Sequence, residues 1–124
     1  LIQPGHLNPD LLRYELHRVW VVDARLKAGA RHINSRRTFY IDEDSWQILA
    51  VDLYDDKGEL IGLQEAHPIN YYEVPVFLST LETVYDLKGG RYFVDGLDNN
   101  EPAYDFGVRL TPRDFSPQAL RLGN

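Results

Sequence analysis

Arg13-Tyr14-Glu15-Leu16-His17-Arg18-Val19-Trp20-Val21-Val22-Asp23-Ala24-Arg25-Leu26 is the stretch that decides the fold. Leu16, Trp20, Val22, Ala24 and Leu26 share one parity, broken only by Arg18, while Arg13, Glu15, His17, Asp23 and Arg25 share the other. Successive side chains leave a strand on opposite faces, so a period of two rich in β-branched and aromatic residues predicts a half-buried strand. The stretch reads as one long strand.

Working outward, Lys27-Ala28-Gly29-Ala30 supplies a turn in which Gly29 is free to take a positive φ. Arg31 to Ile41 then alternates again, with Ile33, Phe39 and Ile41 on one side, so the two segments read as a hairpin. Asp42-Glu43-Asp44-Ser45 is a short acidic turn before Trp46 to Tyr54, which is apolar on both parities and predicts a central strand. Asp55-Asp56-Lys57-Gly58 has the composition of a type I turn closed by a glycine bulge, with Glu59 to Ala66 returning as the next strand. Pro68 is expected to limit that strand, because proline donates nothing to a ladder. Pro75 punctuates Tyr71 to Val74, after which Ser79 to Leu87 and Arg91 to Leu97 make a third hairpin around Lys88-Gly89-Gly90. Asp98 to Asp105 reads as a loop, Phe106 to Leu110 as a short last strand, and Ser116-Pro117 as the capped start of a helix reaching Leu122. The fold class expected is mainly β: a curled antiparallel meander of long strands with a short C-terminal helix, residues 1–124 forming one β domain.

With 124 residues, of which 44% are hydrophobic, the chain has material for one core. Thirteen basic against nineteen acidic residues give a net charge of -6 without any cationic run, which argues against nucleic acid as a partner, since such binding draws on clustered cations. The absence of cysteine excludes disulfides, thiolate metal sites and a cysteine nucleophile. No stretch approaches the roughly 18 consecutive apolar residues of a transmembrane segment, and no signal peptide is visible. Methionine is absent even at position 1, which reads as a processed product or a piece of a longer chain.

Requiring the apolar parities to meet sets the expected registers. The first hairpin places Leu16 opposite Ile41, Trp20 opposite Arg37 and Val22 opposite Ser35; the second places Phe39 opposite Ile48, Arg37 opposite Ala50 and Ser35 opposite Asp52. One face then collects Leu16, Trp20, Val22, Phe39, Ile41, Trp46, Ile48, Tyr54 and Leu60, with Arg18, Arg37, Asp52 and Gln64 embedded among them. The other carries Val19, Val21, Tyr40, Leu49, Val51, Leu53, Ile61 and Leu63. Both faces need a cover, and two readings stand: both are core, or one is a lipid-like trough. Arg37, placed diagonal to Asp52, fits either a structural ion pair or contact with a polar head group.

Other constellations are sparse. His6, His17, His32 and His67 have no ligand spacing, so no metal is expected. The serines lack a strained nucleophile turn, and no glycine-rich phosphate loop occurs. Asp42, Glu43 and Asp44 resemble a calcium loop only in composition. Glu65 and His67 share a parity and form a possible acid/base pair, provided that they converge with Arg37 in a pocket.

Tyr14 to Val22, Arg31-His32-Ile33, Arg36 to Ile48, Gln64-Glu65-Ala66-His67, Asn70-Tyr71-Tyr72, Val84 to Leu87, Gly90-Arg91-Tyr92, Asp95-Gly96-Leu97 and Arg109 to Pro117 together resemble the proteobacterial domain of unknown function thirteen-twenty-nine. Its members are often labelled outer-membrane lipoprotein-sorting proteins, are several times longer, and begin with a signal peptide. The resemblance therefore implies a C-terminal part of an exported protein, located in the periplasm or at the outer-membrane periphery. It also implies a fold similar to the LolA and LolB lipoprotein carriers, an incompletely closed antiparallel barrel around a hydrophobic cavity. It carries no catalytic residues.

The expected function is a non-enzymatic hydrophobic-ligand or lipoprotein-acyl carrier module without a cofactor. Trp20, Val22, Phe39, Trp46, Ile48 and Tyr54 are expected to line its trough, with Arg37 and Asp52 meeting a head group or each other. A lipid or acyl chain is the expected ligand, with an envelope protein or a second copy as further partners. The alternative is a structural or adaptor domain that contacts an envelope transporter or outer-membrane protein and binds no small ligand.

Overall fold

The computed structural model describes residues 1–97, 102 and 104–122. The chain is mostly β. Strands β1 (Ile2–Gln3) and β2 (His6–Leu7) form a small hairpin, followed by a 3-10 turn at Pro9–Leu11. Strands β3 (Val19–Arg25), β4 (Arg36–Asp42), β5 (Ile48–Tyr54), β6 (Leu60–Tyr71), β7 (Val76–Asp86) and β8 (Arg91–Asp95) then make one antiparallel sheet in sequence order, and α1 (Pro117–Leu122) closes the described chain. The sheet is not closed into a barrel: β3 and β8 are its two edges.

The turns explain most of this order. Asp55 accepts the backbone N–H of Lys57 and Glu59 on Oδ1 at 3.0 and 2.9 Å, and Gly58 takes φ 80°, so the glycine-bulge turn forms as its composition predicts. Asp86 accepts the Gly89 N–H at 2.8 Å at the head of the β7–β8 turn. Ser116 caps α1, its Oγ accepting from the Ala119 N–H at 3.2 Å.

Other expectations are corrected. The strand expected over Arg13 to Leu26 is β3, Val19–Arg25, because its ladder with β4 ends at Val19–Asp42 and is followed by a single backbone bond, Glu43 N–H to Arg18 O at 3.2 Å; Leu16 is fully exposed. The β3–β4 connection is a loop over residues 26–35, closed by Leu26 N–H to Ser35 O at 2.8 Å, so Ile41 meets Trp20 and not Leu16. Pro68 does not end β6: a bulge between His67 and Pro68 absorbs the missing donor and the strand continues to Tyr71. The reach of β7 back to Val76 follows from that longer partner. Phe106 to Leu110 is irregular, and most of the expected Asp98–Asp105 loop lies outside the described residues.

The β4–β5 register matters most. The turn after Asp42 is wider than four residues, with Trp46 at φ 60° and a bulge beside Tyr40 and Ile41. Phe39 therefore meets Val51, three residues beyond the expected Ile48. An odd shift exchanges the faces of every residue on one side of the pair. Val51 and Leu53 thus join Trp20, Val22 and Phe39, while Asp52 and Tyr54 join Thr38 and Arg36.

The core is small. Leu7, Val51, Leu53 and Leu81 are the buried apolar residues, and Thr38, Asp42 and Thr83 the buried polar ones. The accessible surface is 10089 Å², against about 6,800 Å² expected for a compact monomer of 14.3 kDa. Much apolar surface stays in water.

Candidate functional site

The N-terminal segment lies across the face of the sheet that carries Glu65, His67, Leu81 and Thr83, which the β6–β7 register brings together as His67 opposite Leu81 and Glu65 opposite Thr83. Three anchors hold it. At one end, Tyr92 of β8 donates its hydroxyl to Gln3 O at 2.9 Å and accepts the Gln3 N–H at 3.2 Å, its ring stacked on Tyr85 at 5.6 Å. In the middle, the Tyr14 hydroxyl donates to Glu65 Oε1 at 3.5 Å, and the Tyr14 ring sits edge-on to His67 at 5.7 Å. At the other end, His17 Nδ1 lies 3.0 Å from Asp42 Oδ1.

Between segment and sheet lies a cleft of about 1210 Å³, at or above the ~300–1,000 Å³ of ordinary ligand pockets. Its walls are largely aliphatic and aromatic, including Leu1, Leu12, Leu49, Ile69, Phe77 and Leu81. Tyr14, Glu65 and His67 form its polar spot, and Arg13, Glu15 and His17 lie along the covering segment. Burial, followed by the nearby Glu65 charge, raises the Tyr14 phenol above its ordinary value. His67 Nε2 is buried without a hydrogen-bond partner among the described residues, as are Thr83 Oγ1 and Ser79 Oγ.

Asp42 is a structural hub rather than a ligand site. It is 3% exposed and accepts the Ser45 N–H at 2.9 Å, the Ser45 hydroxyl at 2.6 Å and His17 at 3.0 Å. The Ser45 hydroxyl chiefly, with its backbone N–H and His17, holds the Asp42 carboxyl below its usual range; the Asp42 hydrogen bond in turn raises His17.

The residues expected to line a trough are divided. Trp20, Val22 and Phe39 share the opposite face, with Val22 paired to Phe39 and Trp20 to Ile41, and Ile48 follows at the rim beside Ile41. Val84 and Phe93, a cross-strand pair, extend that face toward β8. Trp46 stands in the β4–β5 turn, 70% exposed, and Tyr54 is on the cleft side of the sheet with the Arg36 guanidinium 3.8 Å over its ring. Arg37 and Asp52 do not pair, because the register places them on opposite faces. Arg37 Nη2 lies 3.3 Å from His32 Nε2, whereas Asp52 accepts the Tyr40 hydroxyl at 2.8 Å and the Tyr54 hydroxyl at 3.3 Å. Glu65 and His67 do share a face and a cleft, but Arg37 is on the other side, so the convergence required for the acid/base reading is not assembled. Tyr14 escaped the sequence reading because its segment has no strand partner to define where it goes.

No grouping of His, Asp or Glu among the described residues could hold a metal ion, and no described helix is long and apolar enough to cross a membrane.

The architecture is an open antiparallel sheet with an N-terminal segment laid over an apolar cleft. The chain belongs to the family of proteins of unknown function termed DUF1329, whose model matches residues 1–121. It is 50% identical over 122 residues to an uncharacterized protein of Pseudomonas aeruginosa, a match covering 98% of this chain and 27% of that one. Its fold is similar to a solved domain from Vibrio parahaemolyticus named for outer membrane lipoprotein sorting, at TM-score 0.54 and 15% identity, covering 85% of this chain and 43% of that one. A DUF1329 family protein from Desulfovibrio piger aligns at TM-score 0.53 and 20% identity, over 82% and 40% of the two chains. This chain thus spans about a quarter of the curated relative and less than half of each solved structure.

Proposed function

We propose that this chain is a non-catalytic module of the bacterial periplasm, associated with the outer-membrane periphery, that binds and carries a hydrophobic ligand such as a lipid or lipoprotein acyl chain. The observation that carries the reading is the cleft of about 1210 Å³ with largely apolar walls beneath the N-terminal segment. The name of the Vibrio parahaemolyticus domain supports both the envelope location and the carrier role. The bare face bearing Trp20, Val22 and Phe39 is a second apolar surface, and the test separates the two. A neutral naphthylamine probe that fluoresces in apolar surroundings is titrated into the protein and then displaced with long-chain amphiphiles. Ile69→Gln, on the cleft wall and 48% exposed, is expected to weaken probe binding several-fold, whereas Trp20→Ala leaves it unchanged. The reverse pattern moves the site to the Trp20 face, and no saturable binding to folded protein removes the carrier reading.

A second reading, a structural module whose Trp20 face is covered by another copy of the chain, is favoured by the surface excess. That excess, roughly 3,000 Å², is of the order that obligate protein interfaces bury. Sedimentation showing a dimer whose melting temperature rises with protein concentration supports it; a monomer at every concentration rejects it.

A further inference from the structure

We infer that Glu65, His67 and Tyr14 form a head-group subsite in the cleft, selecting an amphiphile whose polar end donates a hydrogen bond and carries no negative charge, such as a long-chain alcohol or amide. The inference rests on the carrier reading and adds the polar chemistry of the ligand. Glu65 sits in the sheet opposite Thr83 and Ala50, facing the cleft. Among the described residues it receives one hydrogen bond, the long 3.5 Å contact from Tyr14, and no Lys or Arg lies within ion-pair distance of it. An ionised carboxylate offers about four acceptor positions, so most of the capacity of Glu65 is open to a donor.

His67 supplies the complement. Two residues along the same strand, it lines the same cleft, and its Nε2 is buried with no hydrogen-bond partner among the described residues. A buried ring nitrogen left without a hydrogen bond is costly, and a ligand oxygen or N–H that reaches it relieves that cost. Tyr14 closes over both groups, its ring against His67 and its hydroxyl on Glu65, and it belongs to a segment outside the sheet. Moving Tyr14 aside uncovers an acceptor and a ring nitrogen next to Leu49, Phe77 and Leu81, where an alkyl chain can lie. A hydroxyl satisfies both, donating to Glu65 and meeting His67 Nε2. An anionic head brings like charge against Glu65. Arg13 and His17 also line the cleft and could offset this, so the test must include an anion.

The experiment uses the 124-residue chain, the neutral naphthylamine probe, and three competitors of equal chain length at pH 7.5: decanol, decylammonium and decanoate. Decanol is expected to displace the probe at a concentration at least about tenfold below that of decanoate, since a site built to hydrogen-bond rejects the mismatched analogue. Glu65→Gln is expected to shrink that gap below about threefold by improving decanoate, and His67→Phe to weaken decanol about tenfold more than it changes probe affinity. Equal displacement by decanol and decanoate, or a gap unchanged in Glu65→Gln, overturns the subsite and leaves the carrier reading standing. Tighter binding of decanoate assigns the head group to Arg13 or His17 and also overturns it. Failure of the probe itself to bind removes the carrier reading and the subsite together. Circular dichroism of each variant confirms that the comparison is between folded proteins.

Discussion

Asp42→Ala is the perturbation with the largest expected effect away from the apolar core. The side chain is 3% exposed and accepts three hydrogen bonds: the Ser45 N–H at 2.9 Å, the Ser45 hydroxyl at 2.6 Å and His17 Nδ1 at 3.0 Å. Its backbone pairs with Val19 as the last register of β3–β4 and opens the wide β4–β5 turn. Hydrogen bonds to a charged group contribute about 1.5–3 kcal/mol each, and the two from Ser45 are coupled, so the loss is about 3–4 kcal/mol. With a urea m-value near 2 kcal/mol/M, the midpoint falls by roughly 1.5–2 M. Tryptophan fluorescence is a direct readout, because Trp46 is in the turn and Trp20 is paired beside it with Ile41. The pH dependence sharpens the test. His17 is raised above 6.5, so its part of the stabilisation is complete below about pH 6.5 and is lost as pH rises through the higher folded value. Asp42 is lowered below 3.8, so its part is present above about pH 4 and is lost as pH falls through the depressed folded value. The gap between wild type and Asp42→Ala is therefore widest from about pH 4 to 6.5 and narrows toward pH 9. A gap under about 1 kcal/mol, or one that stays flat from pH 6 to 9, refutes the hub as described.

Two further predictions address the cover and the floor of the cleft. Thr83 is 1% exposed with its hydroxyl unpartnered, so Thr83→Val is expected to raise stability by about 1 kcal/mol in urea titration; a loss of that size would mean that the hydroxyl has a partner on the native protein. Tyr92→Phe removes both hydrogen bonds to Gln3 and is expected to speed amide exchange in residues 2–7 about tenfold while leaving β6 and β7 protected; unchanged exchange there shows that the hairpin is held by something else.

Strand existence was legible because it depends on local parity, and the 55–58 turn because Asp55 and Gly58 carry their own geometry. Register was not legible, because it depends on how wide each turn opens. Trp46 at φ 60° is a conformation no composition rule assigns to tryptophan, and it helps set Phe39 against Val51. That shift of three residues moved Tyr54 and Asp52 to the far face and separated Arg37 from Asp52, which dissolved the expected trough as one unit. Trp20, Val22 and Phe39 stayed together because the first hairpin slipped by four, an even number that preserves the faces. Glu65 and His67 were legible for a simpler reason: a spacing of two within one strand fixes a shared face whatever the neighbour does. Tyr14 was not, since a segment outside the sheet has no parity to read.

The surface excess follows from architecture. A sheet is stable when each apolar face meets a second layer, and here residues 1–17 supply a partial layer over one face, while Tyr104 and Phe106 pack edge-on against Tyr71 of β6 and tilted against each other. The cleft lies where that layer stands off the sheet between its contacts, with Leu7 buried and with Tyr14, Tyr92 and His17 at its polar anchors, leaving Leu49, Phe77 and Leu81 along the cleft wall. On the proposed carrier reading, a hydrophobic ligand entering there would complete the packing without rearranging the ladder. On the other face Val51 and Leu53 are buried, while Trp20 and Phe93 remain 55% and 63% exposed, an apolar surface that the described residues leave in water.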